Sequence, residues 1–334
     1  MQNPRFGKTC LHLLLSAAFV LISAPARAQS VWQGTNSAIW DDIANWSTGV
    51  VPNLAGVEAR FTNAASVNMN SFAATIGTLS AFNASGSVVL SNGTVTFDSG
   101  SAATPIVDAT NGNATVFMYA NVLGTSGIRK TGPGEFSFRF NTVDQTYSGG
   151  ILLDGGRFTI NQNGSLGDSN NTITVQSSST LQSSPGSNSG TVTISSGHAI
   201  NLGWESSSAN LTLNNGFSNV TTVVQSDITG SGNLIFGGTG GLVLSGANSA
   251  GLVTVNGPGF GGATNTNTIV TRTNRVSFAS ADSLGSSTGL TVSLGSASAF
   301  NSSSTINVDL GGLARSPSSL VLSNATNSGS TNSL

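Results

Sequence analysis

Few side chains in this sequence could do chemistry, and their spacing narrows what that chemistry would be. Glycoside hydrolysis needs two carboxyl groups facing one bond, roughly 5 to 10 Å apart. The carboxylates on offer are Glu58, Glu135, Glu205 and ten aspartates. Most of the aspartates stand in turn contexts such as Asp154-Gly155-Gly156, Asp168-Ser169-Asn170 and Asp282-Ser283, where the side chain serves nearby backbone groups. Asp41-Asp42 is the one adjacent acidic pair, and neighbours on a strand face opposite ways. A working pair would therefore be assembled across separate coils. His198, in Ser195-Ser196-Gly197-His198-Ala199, reads as an exposed turn residue and not as a base. Serines are too abundant for one nearby to signal a triad, and no G-x-S-x-G elbow is present. His, Cys and carboxylates are not clustered as zinc requires, and calcium-binding nonapeptides do not run in tandem. Gly237-Gly238-Thr239-Gly240-Gly241 leads into Leu242-Val243-Leu244, a strand and not a helix N-terminus, and has no following Lys, so these glycines are structural. The sequence assigns no catalytic residue, no metal ligands and no cofactor.

Binding chemistry has one conspicuous candidate. Trp32, Trp40 and Trp46 fall within Val31 to Phe61. An indole face offers apolar contact to a sugar ring and its N–H a hydrogen bond, so the three could stack on a glycan. The competing reading is a plug over the first coil of a repetitive β structure, whose bare edge would otherwise recruit another chain. Phosphate binding needs clustered Lys and Arg. The basic pairs here are only Arg129-Lys130 and the spaced Arg272/Arg275, read as turn or edge residues, so nucleic acid is not an expected partner.

The elements that must carry these residues are short strands. Between Gly124 and Leu181 the apolar residues alternate with polar ones in brief runs, Phe136/Phe138/Phe140, Ile151/Leu153, Phe158/Ile160 and Ile173/Val175, each bounded by Gly, Asn, Asp or Ser. Period two lets each run bury one row and leave Ser, Thr and Asn to water. A second copy starts at Gly230. At constant offset, Gly132, Gly134, Phe136 and Phe138 correspond to Gly238, Gly240, Leu242 and Leu244. After a shift, Asp154-Gly155 matches Asn256-Gly257, while Ser165-Leu166-Gly167 and Thr174-Val175 match Ser283-Leu284-Gly285 and Thr291-Val292. Imperfect repetition of strand-and-turn units is the mark of a solenoid. The same grammar runs on either side, from Ala65 to Met69, Thr75 to Leu79, Ser87 to Leu90, Thr94 to Phe97 and Ala114 to Tyr119 before, and from Thr191 to Ile194 through Thr221 to Val224 after. Regular apolar spacing separates the chain from disordered Gly/Ser tracts, and its composition disfavours helix. Pattern alone leaves parallel solenoid and antiparallel sandwich open.

The order G-x-G-x-[FL]-x-[FL], Tyr147-Ser148-Gly149-Gly150, Asp154-Gly155-Gly156, then Leu166-Gly167 and Thr174-Val175 resembles the autotransporter-associated β-strand repeat. The second copy lacks the Lys and Tyr of the first and has Gly251-Leu252 in place of Gly-Gly. The resemblance implies an all-β fold, a single-stranded parallel β-helix with an atypical Trp-rich N-terminal cap. It also implies a passenger region on the surface of, or secreted from, a bacterium.

Arg5 and Lys8 precede an apolar run from Leu11 to Ile22, and Ala26-Arg27-Ala28 supplies a signal peptidase pattern, so residues 1–28 are expected to be a signal peptide. The run is too short for a membrane span, and no later stretch is apolar enough. The exported chain would hold no cysteine, and eight Lys/Arg against thirteen Asp/Glu. The expected layout is a cap at 29–61 and a β-solenoid at 62–334, with repeat cassettes at 121–181 and 227–300. Coil grammar persists to Ser319-Leu320-Val321-Leu322-Ser323-Asn324, so a C-terminal sorting or translocation element is expected beyond Leu334. The expected role is a non-enzymatic stalk or adhesive surface, exported to the cell surface or outer membrane, with an extracellular glycan or matrix as partner. The alternatives are a polysaccharide-active β-helix enzyme, marked by an acidic cluster across coils, and a carbohydrate-binding module using the tryptophans.

Overall fold

The computed structural model describes residues 29–246 apart from 83–85, 204–208, 218 and 238–240, and beyond these the strands Val253–Asn256, Thr273–Phe278, Leu290–Ser296, Thr305–Asp309 and Leu320–Ala325. The expected signal peptide and Gly238, Gly240, Gly257, Leu284 and Gly285 of the second cassette lie outside the described residues. Every ladder between strands is parallel. Parallel neighbours cannot be joined by a tight hairpin and need a crossover. Here the crossover is the rest of the coil, so the alternative of an antiparallel sandwich falls away and the fold is a parallel β-helix.

The coil has three faces. The first carries nine strands, from Gln29–Trp32 to Ile228–Gly230, and the second eleven, from Ala65–Asn68 to Leu320–Ala325. The third is in two pieces, a three-stranded sheet of Ala73–Ile76, Thr94–Phe97 and Asn121–Leu123, and a five-stranded one from Gly190–Ile194 to Thr305–Asp309. The expected strand from Thr75 to Leu79 is in fact two, Ala73–Ile76 and Thr78–Ala81, because the chain turns a corner at Gly77.

Stacking places like on like. On the second face Val116, Phe136, Phe158, Leu181, Leu213 and Phe236 align in register and are buried. Phe136, Phe138 and Phe158 meet edge to face at 4.9 to 5.9 Å, a favoured geometry for aromatic pairs. The expected alternation through Phe140 fails. The strand ends at Ser137, the chain turns, and Phe140 is left 45% exposed.

The gap in the third face falls on the first cassette. No strand occupies that face between Asn121–Leu123 and Gly190–Ile194. In its place run residues 138–150 and the 3-10 turn Asn163–Leu166, which bury Tyr147 and Leu166. The second cassette is turned by one face. Phe136 lies on the second face while Leu242 and Leu244 lie on the third, and Thr174-Val175 lies on the first while Thr291-Val292 lies on the second. The register partner of Phe136 in this later region is Phe236. Strand order within the repeat is kept, and its orientation about the axis is not.

Candidate functional site

At the N-terminus residues 29–50 form part of a coil. Gln29–Trp32 pairs with Glu58–Phe61, and Ile39 bridges Asn68, so the open edges of two faces are covered by backbone. Asp42 caps the short 3-10 turn Ile43–Asn45 by accepting from Ala44 N at 3.1 Å, from Asn36 and from Ser37. The Asn36 and Ser37 hydrogen bonds, with that of Ala44, hold its carboxyl below the ordinary carboxylate range. Asn45 accepts from Asn36 N and Ser37 N and donates to Ile39 O, which fixes the loop that carries the indoles. Trp40 and Trp46 are 0% and 2% exposed and Trp32 is 8%; Trp46 packs on both of the others, and all three pack on Phe61. Trp46 Nε1 donates to Trp40 O at 2.7 Å.

The repeat motif assembles a second object at the corner between the first and second faces. Lys130, expected at a turn or edge, points inward and is fully buried, in a column between Val107 and Leu153 of the neighbouring coils. Parity explains it, since Lys130 lies two residues after the inward Ile128. Its Nζ donates to Thr131 O at 2.7 Å, Gly132 O at 2.8 Å and Gly155 O at 3.3 Å. Burial pulls the ammonium down to about 8, against the opposing charges of Asp108, Glu135 and Asp154. Gly156 has φ +69°, and a Cβ there would come within 2.3 Å of Gly132 O, 2.4 Å of Gly134 O and 2.8 Å of Lys130 Nζ. Lys-x-Gly-x-Gly in one coil and Asp-Gly-Gly in the next are thus two halves of one polar corner. Gly149 and Gly150 both have positive φ and lie where Gly127 donates to Ser148 O and Ile128 to Gly150 O.

A polar row fills the interior opposite. Tyr147 OH donates to Ser165 O at 3.0 Å, and burial raises its pKa. Asn171 accepts from Gly150 N and donates to Tyr147 O and Leu166 O. Gly167 turns beside them at φ +76°. His198 stands two residues before Ile200, as Asn171 stands before Ile173, and is fully buried, not exposed as the turn context suggested. Its Nδ1 lies 3.0 Å from Asn171 O, so it must be the donor there, and Nε2 has no hydrogen-bond partner among the described residues. Burial lowers its pKa, against the Asn171 carbonyl and the charge of Asp168.

Carboxylates do come together across coils. Asp108, Thr131 and Asp154 align on the outer side of the first face, which sets the two acids about 10 Å apart. Each is occupied. Thr131 and Thr110 donate to Asp108, and Arg129 and Ser177 to Asp154. Burial raises the Asp154 pKa, but the hydrogen bonds from Ser177 and Arg129, with the charges of Arg129 and Lys130, outweigh it and leave the group below its ordinary value. General-acid chemistry would need one of the pair held protonated.

On the second face, beside the Lys130 corner, lies an outer groove of about 460 Å³. Its floor is a column in register, Thr115, Glu135, Arg157, Thr180 and Thr212, one residue from each of five successive coils. Glu135 Oε1 accepts from Thr159 at 2.6 Å, and Glu135 Oε2 lies 3.6 Å from Arg157 Nη1. Two residues beyond Thr115, Phe117 starts an outward cluster with Tyr119 and Phe140, their ring centroids 5.9 to 6.3 Å apart. Arg139 lies 4.8 Å from the rings of both Phe140 and Phe217. In the sequence Glu135 stood only as a carboxylate and Phe140 only as part of an apolar run, because cross-coil register alone brings these residues together.

No family model matches the chain, and no solved structure matches it. In an alignment of 199 positions that covers 54% of its length, it is 27% identical to the adhesin BmaC autotransporter of Brucella suis biovar 1 (strain 1330). The chain spans about 5% of that adhesin's length. No helix of the described residues is long and apolar enough to cross a membrane.

Proposed function

We propose that this chain is a segment of an exported bacterial passenger, and that its solenoid serves as a stalk and an adhesive surface. The observation that carries the reading is the partial likeness to an autotransporter adhesin, found in a chain that folds as a parallel β-helix. The geometry is consistent with it. Stability is drawn from ladders and from one continuous buried core, and the outer faces present mostly Ser, Thr and Asn. We read Trp32, Trp40 and Trp46 as a cap, since indoles this deeply buried have no free face for a sugar. The across-coil carboxylates read as ion-pair and turn partners, not as a hydrolytic pair.

Beads coated with the purified chain test this. Saturable attachment to fixed host cells or to matrix-coated wells, competed by soluble chain, is expected. No attachment above uncoated beads, together with release of reducing ends from polysaccharides, would replace the adhesive reading with the enzymatic one.

A further inference from the structure

The groove on the second face has the chemistry of a sugar site, and it is separate from the tryptophans. We propose that the column Glu135, Arg157 and Thr180, with the ledge of Phe117 and Phe140, binds a neutral, linear oligosaccharide laid along the solenoid axis. The proposal rests on the adhesive reading and names the partner of that surface.

Size comes first. At about 460 Å³ the groove is within the range of ligand clefts, about 300 to 1,000 Å³. Adjacent coils are about 4.8 Å apart, so the five-residue column extends about 19 Å, and its polar groups recur at a spacing close to the width of a hexose ring. A linear chain of sugars can meet a similar set of groups at each step.

Polarity and charge come next. Among the residues lining the groove, Glu135 is the one carboxylate and Arg157 the one cation. They face each other at 3.6 Å, outside good hydrogen-bond distance, and Arg157 keeps 45% of its side chain exposed. Adjacent sugar hydroxyls can donate to the Glu135 carboxylate and accept from the Arg157 guanidinium, which converts a loose pair into two charge-assisted hydrogen bonds. The two charges cancel, so a uronate or phosphate gains nothing from Arg157 that Glu135 does not oppose.

The ledge supplies the rest. Phe140 is 45% exposed and clusters with Phe117 and Tyr119. Phe117 and Thr115 lie on the same outer side of Ala114–Met118, about 7 Å apart. A sugar's C–H face suits an aromatic ring while its hydroxyls reach the column. An apolar ligand would leave the hydroxyls, the carboxylate and the guanidinium unpaired, at a cost in desolvation.

The test is an array of neutral linear oligosaccharides and matched uronic-acid oligosaccharides, probed with the full chain and followed by titration of the best binder. Glu135→Gln, Arg157→Ala and Phe140→Ala should each weaken neutral-glycan binding about tenfold or more. Phe82→Ala, which removes the exposed ring stacked 4.2 Å from Arg60 elsewhere, should leave it unchanged. Unchanged circular dichroism and melting in Glu135→Gln, which keeps the acceptor for Thr159, separates loss of binding from loss of fold. Neutral-glycan binding that ignores all three groove variants, or binding of acidic glycans alone, overturns the proposal. Bead attachment without any oligosaccharide binding also overturns it and leaves the adhesive reading standing. Groove-dependent glycan binding without attachment to cells supports the site and counts against the adhesive reading.

Discussion

Two regions of the described solenoid solve the same problem, filling a narrow interior, with different materials. Around Trp32, Trp40, Trp46 and Phe61 the filling is aromatic and dry, and its hydrogen bonding is confined to the loop that holds the indoles. From Lys130 to His198 the interior admits polar groups beside the phenylalanine stack, with an ammonium on three carbonyls and a row of Asn171, Tyr147 and His198. The difference follows from what each region lacks. At the N-terminus residues 29–50 supply only part of a coil over Phe61, and three indoles provide the bulk that covers it. Along the first cassette the third face has no strand, and the backbone groups of the loops that replace it need side-chain partners.

The largest effect should come from breaking the aromatic end. Trp40→Ala removes a fully buried indole that contacts Trp46 and Phe61. A cost of about 3 to 5 kcal/mol is expected, by comparison with large-to-small core changes. The edges it helps to cover should then promote self-association. Differential scanning fluorimetry with light scattering checks both. An unchanged melt and a monodisperse double variant Trp40→Ala, Trp46→Ala would mean that the indoles are not what closes the first coil.

The polar region should yield less per residue but with a pH signature. Lys130→Met matches the apolar character of the Val107 and Leu153 neighbours yet leaves Thr131 O, Gly132 O and Gly155 O without their donor. One unsatisfied buried group costs about 1 to 3 kcal/mol, and relief from burying a charge offsets part of that. The folded pKa of about 8 lies below the ordinary 10.5, so the unfolded state binds more protons between those values. Wild type should therefore gain on Lys130→Met as pH rises from 8 towards 10.5. A difference independent of pH would mean that the ammonium is solvated. Glu135→Gln, unlike Lys130→Met, should leave the melting temperature unchanged, since Thr159 retains an oxygen acceptor and the Arg157 pair is loose and part-exposed.

Much of this contrast was legible in the sequence, and the parts that were not share a cause. Period two identified the interior columns and the aromatic stack at Phe136 and Phe138, and three tryptophans in a short window pointed to the region where the indoles cluster. Lys130 and His198 were misjudged because polarity was taken to mean exposure. Lys130 lies two residues after the inward Ile128 on one strand, and that spacing places it inside whatever its chemistry, while His198, just ahead of the strand Ile200–Leu202, is buried against Asn171 O. Phe140 errs in the other direction. Its parity with Phe136 and Phe138 is real, but the strand ends at Ser137 and parity carries no meaning past a turn. The rotation of the second cassette and the Glu135 groove were out of reach for a different reason. Both depend on which strands stack, and insertions between strands hide that register from any linear comparison.

The smallest expected effect is the most specific test of the polar interior. His198 donates through Nδ1 to Asn171 O, so Nε2 carries a lone pair in a buried place with no donor among the described residues. Burial disfavours the charged ring and holds its pKa below the ordinary 6.5, and protonation would add a charged N–H with no acceptor among the described residues. In the unfolded chain the ring titrates near that ordinary value. From 6.5 downward the unfolded state binds the extra proton first, so the contribution of neutral His198 to stability is complete above 6.5 and fades as pH falls. His198→Gln keeps an N–H for Asn171 O and cannot titrate. Chemical denaturation of both proteins should show a constant difference from pH 8 to 7, then a steady loss by wild type relative to the variant towards pH 5. The subtraction cancels every other titrating group except Asp168, whose charge faces His198, and Asp168→Asn in both backgrounds isolates that contribution. A difference that stays flat from pH 7 to 5 would show that Nε2 has water or a partner beside it. The row of Asn171, Tyr147 and His198 would then be a wetted channel and not a sealed filling.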